Sequence, residues 1–217
     1  VSIDFKNENN FNFAYDVVDA IADKDPEKLA MLHLSKNKEV RRFTFTDLKR
    51  ESARCANYFV SLGIKKGDKV MLVLKRHYQF WIAILALHKI GAVAIPATNL
   101  LQEHDYEYRY NAAGVSVIIC SSDDDIAHQA ELGAKNAKDL KHKIIVGEPR
   151  EGWRNFNEEV KSFPDTFERT DISPSGEDDM LMYFTSGTTG NPKMALHSFK
   201  YPLGHFHTAK YWHDVDP

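Results

Sequence analysis

Short apolar runs recur along the chain and predict buried strands at residues 70–74, 92–95, 115–120, 144–146 and 180–185. The longer stretches between them predict helices at residues 78–90, 103–113 and 123–137. Strands that are apolar on both faces and alternate with helices are typical of a parallel sheet covered on both sides. We therefore predict an α/β fold with a mostly parallel sheet flanked by helices, followed by the start of a second sheet region.

The first quarter of the chain has a different pattern. Apolar residues at helical spacing predict an opening amphipathic helix that contains Phe13, Val17, Val18 and Ile21. Two apolar segments around a polar turn predict a β-hairpin at residues 29–34 and 40–45. Thr46 is the predicted N-cap of the next helix, which Gly63 ends.

Composition narrows the class of protein. The chain has 217 residues, 43% of them hydrophobic and 27% charged, with a net charge of −3, which is an ordinary globular balance. This charge gives no reason to expect a nucleic-acid partner. Cys55 and Cys120 lie among apolar neighbours, so we predict buried free thiols and a reducing compartment.

Localisation and domain organisation follow from the same inspection. The most apolar stretch, residues 80–87, is shorter than the roughly 20 residues that cross a bilayer, so we expect no transmembrane segment. No signal sequence is visible, and we expect the cytoplasm, or an organelle matrix if a leader has been removed. Residues 164–179 are rich in Asp, Glu, Ser, Thr and Pro and predict a surface connector.

The most informative segment follows the last buried strand and reads Thr185, Ser186, Gly187, Thr188, Thr189, Gly190, Asn191, Pro192 and Lys193. Glycines let a backbone turn its N–H groups into one concavity, and hydroxyls add further donors, which together suit a phosphate group. A single lysine closes the segment and would add positive charge. Generic polar hairpins are the alternative interpretation, but the full nine-residue string favours nucleotide binding.

This segment differs from a Walker A loop, which needs the pattern G-x-x-x-x-G-K-[ST] and a helix after it. Here Pro192 precedes the lysine, and residues 194–197 predict a strand. The loop is therefore expected to join two strands, and anion binding is expected to come from loop amides, hydroxyls and Lys193.

The string TSGTTGNPK resembles the phosphate-binding loop of the adenylate-forming superfamily, which contains acyl-CoA synthetases, peptide-synthetase adenylation domains and luciferases. The MALHS string that follows, the segment from Gly91 to Pro96 and the pair Tyr108-Arg109 resemble the medium-chain acyl-CoA synthetase branch. The resemblance covers nearly the whole chain, so residues 1–217 are expected to form the incomplete N-terminal part of an AMP-binding domain.

The resemblance implies an ATP-dependent acid–thiol ligase that acts on a carboxylic acid, which in that branch is a short- or medium-chain fatty acid. It further implies ATP, Mg²⁺ carried by ATP, and coenzyme A. It also implies that the loop holds the β- and γ-phosphates through Thr185, Ser186, Gly187, Thr188, Thr189, Gly190 and Lys193, with Lys193 as the catalytic cation. Thr189 stands where the branch often has serine, which keeps the hydroxyl.

The same resemblance leaves parts of the site unassigned. The family's adenine, ribose, magnesium and C-terminal lysine positions have no counterpart in residues 1–217, so we expect these residues alone to be inactive. Residues that contact coenzyme A, the acyl chain length and the oligomeric state stay open. Three alternatives also stay open: an aryl-CoA ligase or adenylation domain, a nucleotide-binding module without catalysis, and a structural domain.

Two polar clusters carry weaker interpretations. His197, His205, His207 and His213 match no standard metal-ligand spacing, so we interpret them as helix-surface or core-edge residues and predict no metal site. Three consecutive aspartates at residues 123–125 are interpreted as a solvated helix start, where negative charge is favourable.

Overall fold

The protein is described by a computed structural model that covers residues 7–186 and 190–214. After short 3₁₀ and π-helical segments, Glu8–Asn10 and Ala14–Asp19, the helices are α1 Ala20–Lys24, α2 Phe45–Ser61, α3 Gln79–Ile90, α4 Glu103–Ala113, α5 Ile126–Ala134, α6 Phe156–Val160, α7 Tyr201–Gly204 and α8 Phe206–Tyr211. The strands are β1 Leu29–Leu34, β2 Val40–Thr44, β3 Lys69–Val73, β4 Val93–Pro96, β5 Val115–Ser121, β6 His142–Val146, β7 Arg154–Asn155, β8 Asp179–Thr185 and β9 Lys193–Ser198.

Seven of these strands form one sheet in the order β7-β6-β5-β3-β4-β8-β9. Every neighbouring pair is parallel except the last, β8 with β9, which is antiparallel. Strands β1 and β2 form a separate antiparallel hairpin. The predicted mostly parallel α/β sheet and the predicted hairpin are therefore confirmed.

Helices cover both faces of the sheet because its central strands are apolar on both sides. Along β3, Val70 and Leu72 belong to one core cluster with residues of α2, α3 and α6. Met71 and Val73 alternate with them and belong to a second cluster with residues of α4 and α5. Because alternate residues of a strand point to opposite faces of the sheet, one apolar run contributes side chains to two cores.

The strand pair that carries the loop corrects one expectation. It was predicted to begin a second sheet region, but β8 pairs with β4 in parallel and extends the main sheet. The physical reason is burial on both faces: Met180 and Leu181 pack in the first core and Met182 in the second. A strand that is apolar on both faces needs cover on both sides, which the main sheet supplies.

Local signals near the N-terminus were partly misassigned. The N-cap of α2 is Thr44 and not Thr46, because the Thr44 side chain accepts from the Asp47 amide while the Asp47 carboxylate accepts from the Thr44 amide. The Thr46 hydroxyl instead donates to the Pro26 carbonyl at 2.8 Å. The thiols of Cys55 and Cys120 are buried and free, as predicted.

Residues 164–178 contain neither helix nor strand, but side chains connect them to the N-terminal segment of the chain. The Asn12 amide donates to the Pro174 carbonyl at 2.8 Å and to the His88 carbonyl at 3.0 Å. Arg169 pairs with Asp16 at 2.6 Å. These contacts hold the segment that leads into β8. None of the helices in the described part of the chain is long and apolar enough to cross a membrane.

Candidate functional site

The candidate loop connects β8 to β9 at the carboxyl edge of the parallel strands. Strand β8 runs parallel to β4 with Leu181 beside Ala94, so the end of β8 lies at the same edge as Pro96, where β4 ends. Ligands of open α/β sheets bind outside the carboxyl ends of the strands. The loop therefore leaves the sheet at the edge where a ligand is expected.

The two strands bring the ends of the loop together. Thr185, the last residue of β8, pairs with Lys193, the first residue of β9. The Thr185 hydroxyl also donates to the Lys193 carbonyl at 3.3 Å. The structure thus places Thr185 beside the residue that carries the predicted cation, on opposite strands of one hairpin.

Backbone conformation explains one glycine of the loop. Gly190 has φ of 88°, in the left-handed region that side chains disfavour, and a Cβ there would meet nothing within 4 Å. The requirement for glycine is therefore conformational and not steric. Three of the predicted phosphate ligands, Gly187, Thr188 and Thr189, lie outside the described residues.

The described loop residues remain open to solvent. Thr185, Ser186, Gly190 and Lys193 are all exposed. Within residues 7–186 and 190–214, no carboxylate forms an ion pair with the Lys193 ammonium, although many other surface lysines have such a partner. An exposed cation without an acidic partner, next to exposed hydroxyls, can bind an anion that arrives from solvent.

Helix α4 contributes side chains at the base of the loop that the sequence pattern did not identify as functional. The Tyr108 hydroxyl donates to the Pro192 carbonyl at 3.0 Å. The Arg109 guanidinium lies over the Phe184 ring, 5.2 Å from its centroid. The sequence identifies Tyr108 and Arg109 only through the family resemblance, since a contact between positions 84 residues apart leaves no local signal.

The aspartate and histidine clusters that the sequence contains make contacts with nearby side chains. The Asp123 carboxylate lies 2.7 Å from the His77 ring nitrogen, and Asp124 pairs with Lys75 at 2.6 Å. The His197 and His205 rings both pack against the Tyr201 ring, with centroids 4.1 and 4.5 Å away. In the described ranges, no group of three or more His, Cys, Asp or Glu side chains is arranged to hold a metal ion.

Two buried thiols are poorly suited to nucleophilic chemistry. Burial raises the pKa of Cys120 to about 12, and burial also raises the pKa of Cys55 well above its ordinary value. A thiol that stays protonated at neutral pH is a weak nucleophile. Neither thiol is therefore a candidate for a reactive nucleophile.

Comparison with protein-family models matches residues 18–216 to the family described as AMP-binding enzyme. Among curated proteins, acyl-coenzyme A synthetase ACSM3, mitochondrial, of Homo sapiens is 34% identical over 215 residues, which cover 95% of this chain and 36% of the relative. Acyl-coenzyme A synthetase ACSM5, mitochondrial, of Rattus norvegicus is 35% identical over 202 residues, which cover 89% of this chain and 34% of the relative.

A solved structure is similar over the same extent. The crystal structure of the anthranilate CoA ligase AuaEII in complex with anthranoyl-AMP matches with a TM-score of 0.77 and 28% identity, covering 94% of this chain and 37% of that chain. The chain thus spans little more than a third of the length of the relatives that it matches.

Proposed function

Because this chain belongs to the AMP-binding enzyme family, we propose that it supplies the phosphate-binding loop of an ATP-dependent acyl-CoA synthetase. In the first step a carboxylate oxygen attacks the α-phosphorus of ATP, the bond to the bridging oxygen breaks, and pyrophosphate leaves with the electron pair. In the second step the coenzyme A thiolate attacks the acyl carbonyl and AMP leaves. Mg²⁺ enters this reaction as part of the MgATP substrate.

One observation carries the proposal. The β8–β9 hairpin holds Thr185 and Lys193 as a register pair at the carboxyl edge of the sheet, with Lys193 exposed and the Thr185 side chain at the mouth of the loop. Negative charge builds on pyrophosphate as it leaves, so preorganised donors and a fixed cation lower the barrier to that step.

The roles of the loop residues follow from that chemistry. Lys193 provides the cation for the β- and γ-phosphates, and the remaining groups of the loop provide amide and hydroxyl donors: Thr185, Ser186, Gly187, Thr188, Thr189 and Gly190. A lysine ammonium 4 Å from one phosphate charge gains about 4 kcal/mol at an effective dielectric constant near 20. That energy is large enough to matter for a single catalytic step.

The proposed acid is a short- or medium-chain fatty acid. Support comes from the sequence relatives, whose names describe acyl-coenzyme A synthetases. An aromatic acid is the second candidate, because the matching solved structure is an anthranilate CoA ligase. The two candidates share the loop chemistry and differ in the pocket that receives the acid.

The chain is proposed to act as part of a larger AMP-binding domain, in which the connector predicted at residues 164–179 ends at Asp179, the first residue of β8. Residues 1–217 alone are proposed to be inactive, because they span little more than a third of the length of the relatives that they match. We also propose an organelle matrix as the compartment, since the names of the sequence relatives include the word mitochondrial.

Acid-dependent exchange of labelled pyrophosphate into ATP tests the proposal on the protein that carries this chain. Octanoate and anthranilate serve as the two probe acids, and a reaction without acid is the control. We expect exchange with octanoate and little without an acid. Exchange with anthranilate alone would select the second candidate, and absence of exchange with a panel of both acid classes would contradict the function.

Isothermal calorimetry on residues 1–217 tests the expected inactivity separately. We expect weak or undetectable ATP binding, because base and sugar contacts contribute much of the affinity of a nucleotide site. Micromolar affinity would show that these residues already form a complete nucleotide site.

A further inference from the structure

Helix α4 touches the end of the loop at Pro192. The Tyr108 hydroxyl donates to the Pro192 carbonyl at 3.0 Å, and Pro192 immediately precedes Lys193. Pro192 has no backbone N–H, so its carbonyl is its only polar backbone group. The hydrogen bond therefore fixes the peptide plane that leads into the proposed phosphate-binding lysine.

The same helix also touches the start of the loop. Phe184 immediately precedes Thr185, and its ring packs edge-on against the Tyr108 ring with centroids 6.2 Å apart. The Arg109 guanidinium lies 5.2 Å from the centroid of the same ring. A cation over an aromatic face is attractive, so two consecutive residues of α4 hold the strand that enters the loop.

Arg109 is itself held in place. Its guanidinium donates to the Asp105 backbone carbonyl at 3.0 Å and to the Asp105 carboxylate at 3.1 Å. The Asp105 carboxylate also accepts from the Gln102 amide in the capping box at the start of α4. The Arg109 side chain is only 11% exposed. A guanidinium with two fixed acceptors is a rigid support and not a mobile surface charge.

We propose that Tyr108 and Arg109 are positioning residues, which fix the two ends of the loop so that Thr185 and Lys193 face the pyrophosphate leaving group. This inference rests on the proposed function. Donors that are aligned before the reaction stabilise the developing charge without a reorganisation cost, and a shift of the supporting shell weakens them. Neither residue is placed in contact with substrate.

Two matched substitutions on α4 separate positioning from general stability. Tyr108→Phe removes the hydroxyl that holds Pro192. Tyr110→Phe removes a hydroxyl from the same helix that donates to the Ala130 carbonyl at 3.2 Å, in the packing of α4 on α5. Both variants keep the aromatic ring and lose one hydrogen bond, so their difference reports the loop contact.

The first measurement is pyrophosphate exchange by the protein that carries this chain, with kcat and KM for MgATP determined separately. We expect Tyr108→Phe to lower kcat about tenfold, equivalent to about 1.4 kcal/mol, because leaving-group stabilisation acts in the transition state. Tyr110→Phe is expected to stay within about twofold of the parent. Arg109→Lys should retain more of kcat than Arg109→Met, because it keeps a cation near the Phe184 ring.

The second measurement is hydrogen exchange on residues 1–217, and it does not depend on activity. Tyr108→Phe should speed exchange at the backbone amides of Lys193 and Met194 about fivefold more than Tyr110→Phe does. Equal effects of the two variants on these amides would overturn the inference even if the parent is active. If the parent shows no pyrophosphate exchange, the proposed function fails, while this measurement still decides whether α4 positions the loop.

Discussion

At the scale of single residues, the least expected feature is a buried histidine with no polar partner. His88 lies in α3, and neither of its ring nitrogens has a hydrogen-bond partner within the described structure. Its ring packs edge-on against Phe199, with centroids 5.7 Å apart. Desolvation by burial lowers the pKa of His88 from 6.5 to about 4.

This shift predicts a pH-dependent stability. In the unfolded chain His88 binds a proton near pH 6.5, whereas in the folded chain it does so only near pH 4. The free energy of unfolding therefore decreases as the pH falls from 6.5 to 4, and below pH 4 this residue causes no further decrease. We expect the free energy of unfolding to decrease by about 2 kcal/mol from pH 7 to pH 4.5 through this residue. Urea unfolding at the two pH values measures the change.

Two variants separate His88 from the other titrating groups. In His88→Leu, the decrease in the free energy of unfolding from pH 7 to pH 4.5 should be smaller than in the parent by about 2 kcal/mol. His104→Leu is the comparison variant, because it removes a histidine whose side chain is 82% exposed, and an equal reduction by both variants would show that the effect is not specific to His88. An identical pH dependence in the parent and His88→Leu would show that His88 is not held neutral in the fold.

At the scale of elements, the start of α2 shows how two nearby signals compete. Thr44 and Thr46 are both threonines before an apolar stripe, and the sequence interpretation chose Thr46. The structure selects Thr44 because Asp47 stands three residues later and completes a capping box. The pattern of a hydroxyl followed by an acidic residue at that spacing was present in the sequence and would have identified the cap.

The corrected cap predicts unequal effects of two alanine substitutions. Thr44→Ala should destabilise the protein by about 1 kcal/mol, because it leaves the Asp47 amide without its side-chain partner. Thr46→Ala should cost less, since its hydroxyl bonds an exposed carbonyl that water can satisfy. Midpoints of thermal unfolding compare the two, and a larger loss for Thr46→Ala would contradict the assignment.

The ends of α2 and α3 give a second matched comparison. Gly63 and Gly91 have nearly the same positive φ, 78° and 77°. A Cβ on Gly63 would meet nothing within 4 Å, whereas one on Gly91 would lie 2.9 Å from the Pro174 side chain. The sequence identified both glycines as helix ends, but only the structure shows that one of them also supports the segment before β8.

We therefore expect Gly63→Ala to cost about 1 kcal/mol from backbone strain alone. Gly91→Ala should cost about 3 kcal/mol, because the added methyl group must also displace Pro174, whose carbonyl is held by Asn12. Chemical denaturation measures both free energies of unfolding. Equal decreases in the free energy of unfolding would show that Pro174 can move away from residue 91 without destabilising the protein.

At the scale of the whole molecule, the positions of the strands could be predicted from the sequence, but their order in the sheet could not. The runs that became β3, β4 and β5 are apolar on both faces, which is a local property of the sequence. Their order in the sheet depends on pairings between residues far apart, such as Ala94 with Leu181. No local pattern encodes such a pairing, which is why β8 and β9 were expected in a separate sheet region.

The candidate site likewise has one part that the sequence identifies and one part that only the structure shows. The hydroxyl and glycine residues of the loop and its closing lysine are contiguous, so the sequence identifies them together. The support from Tyr108 and Arg109 comes from another helix and becomes visible only when α4 packs beside the β8–β9 hairpin. A hypothesis about chemistry carried by one segment can be drawn from sequence alone, whereas the contacts that position that segment depend on tertiary structure.

In the proposed reaction, Lys193 stabilises the polyphosphate of ATP while the carboxylate attacks. The most direct test of this role is acid-dependent pyrophosphate exchange by Lys193→Met in the protein that carries this chain. Lys200→Met is the control, because Lys200 lies just beyond β9 and its ammonium pairs with Glu177 at 2.7 Å. We predict that Lys193→Met lowers exchange at least about tenfold, corresponding to about 1.4 kcal/mol, while Lys200→Met stays within about twofold. Exchange by Lys193→Met at the parent rate would show that this lysine takes no part in the reaction.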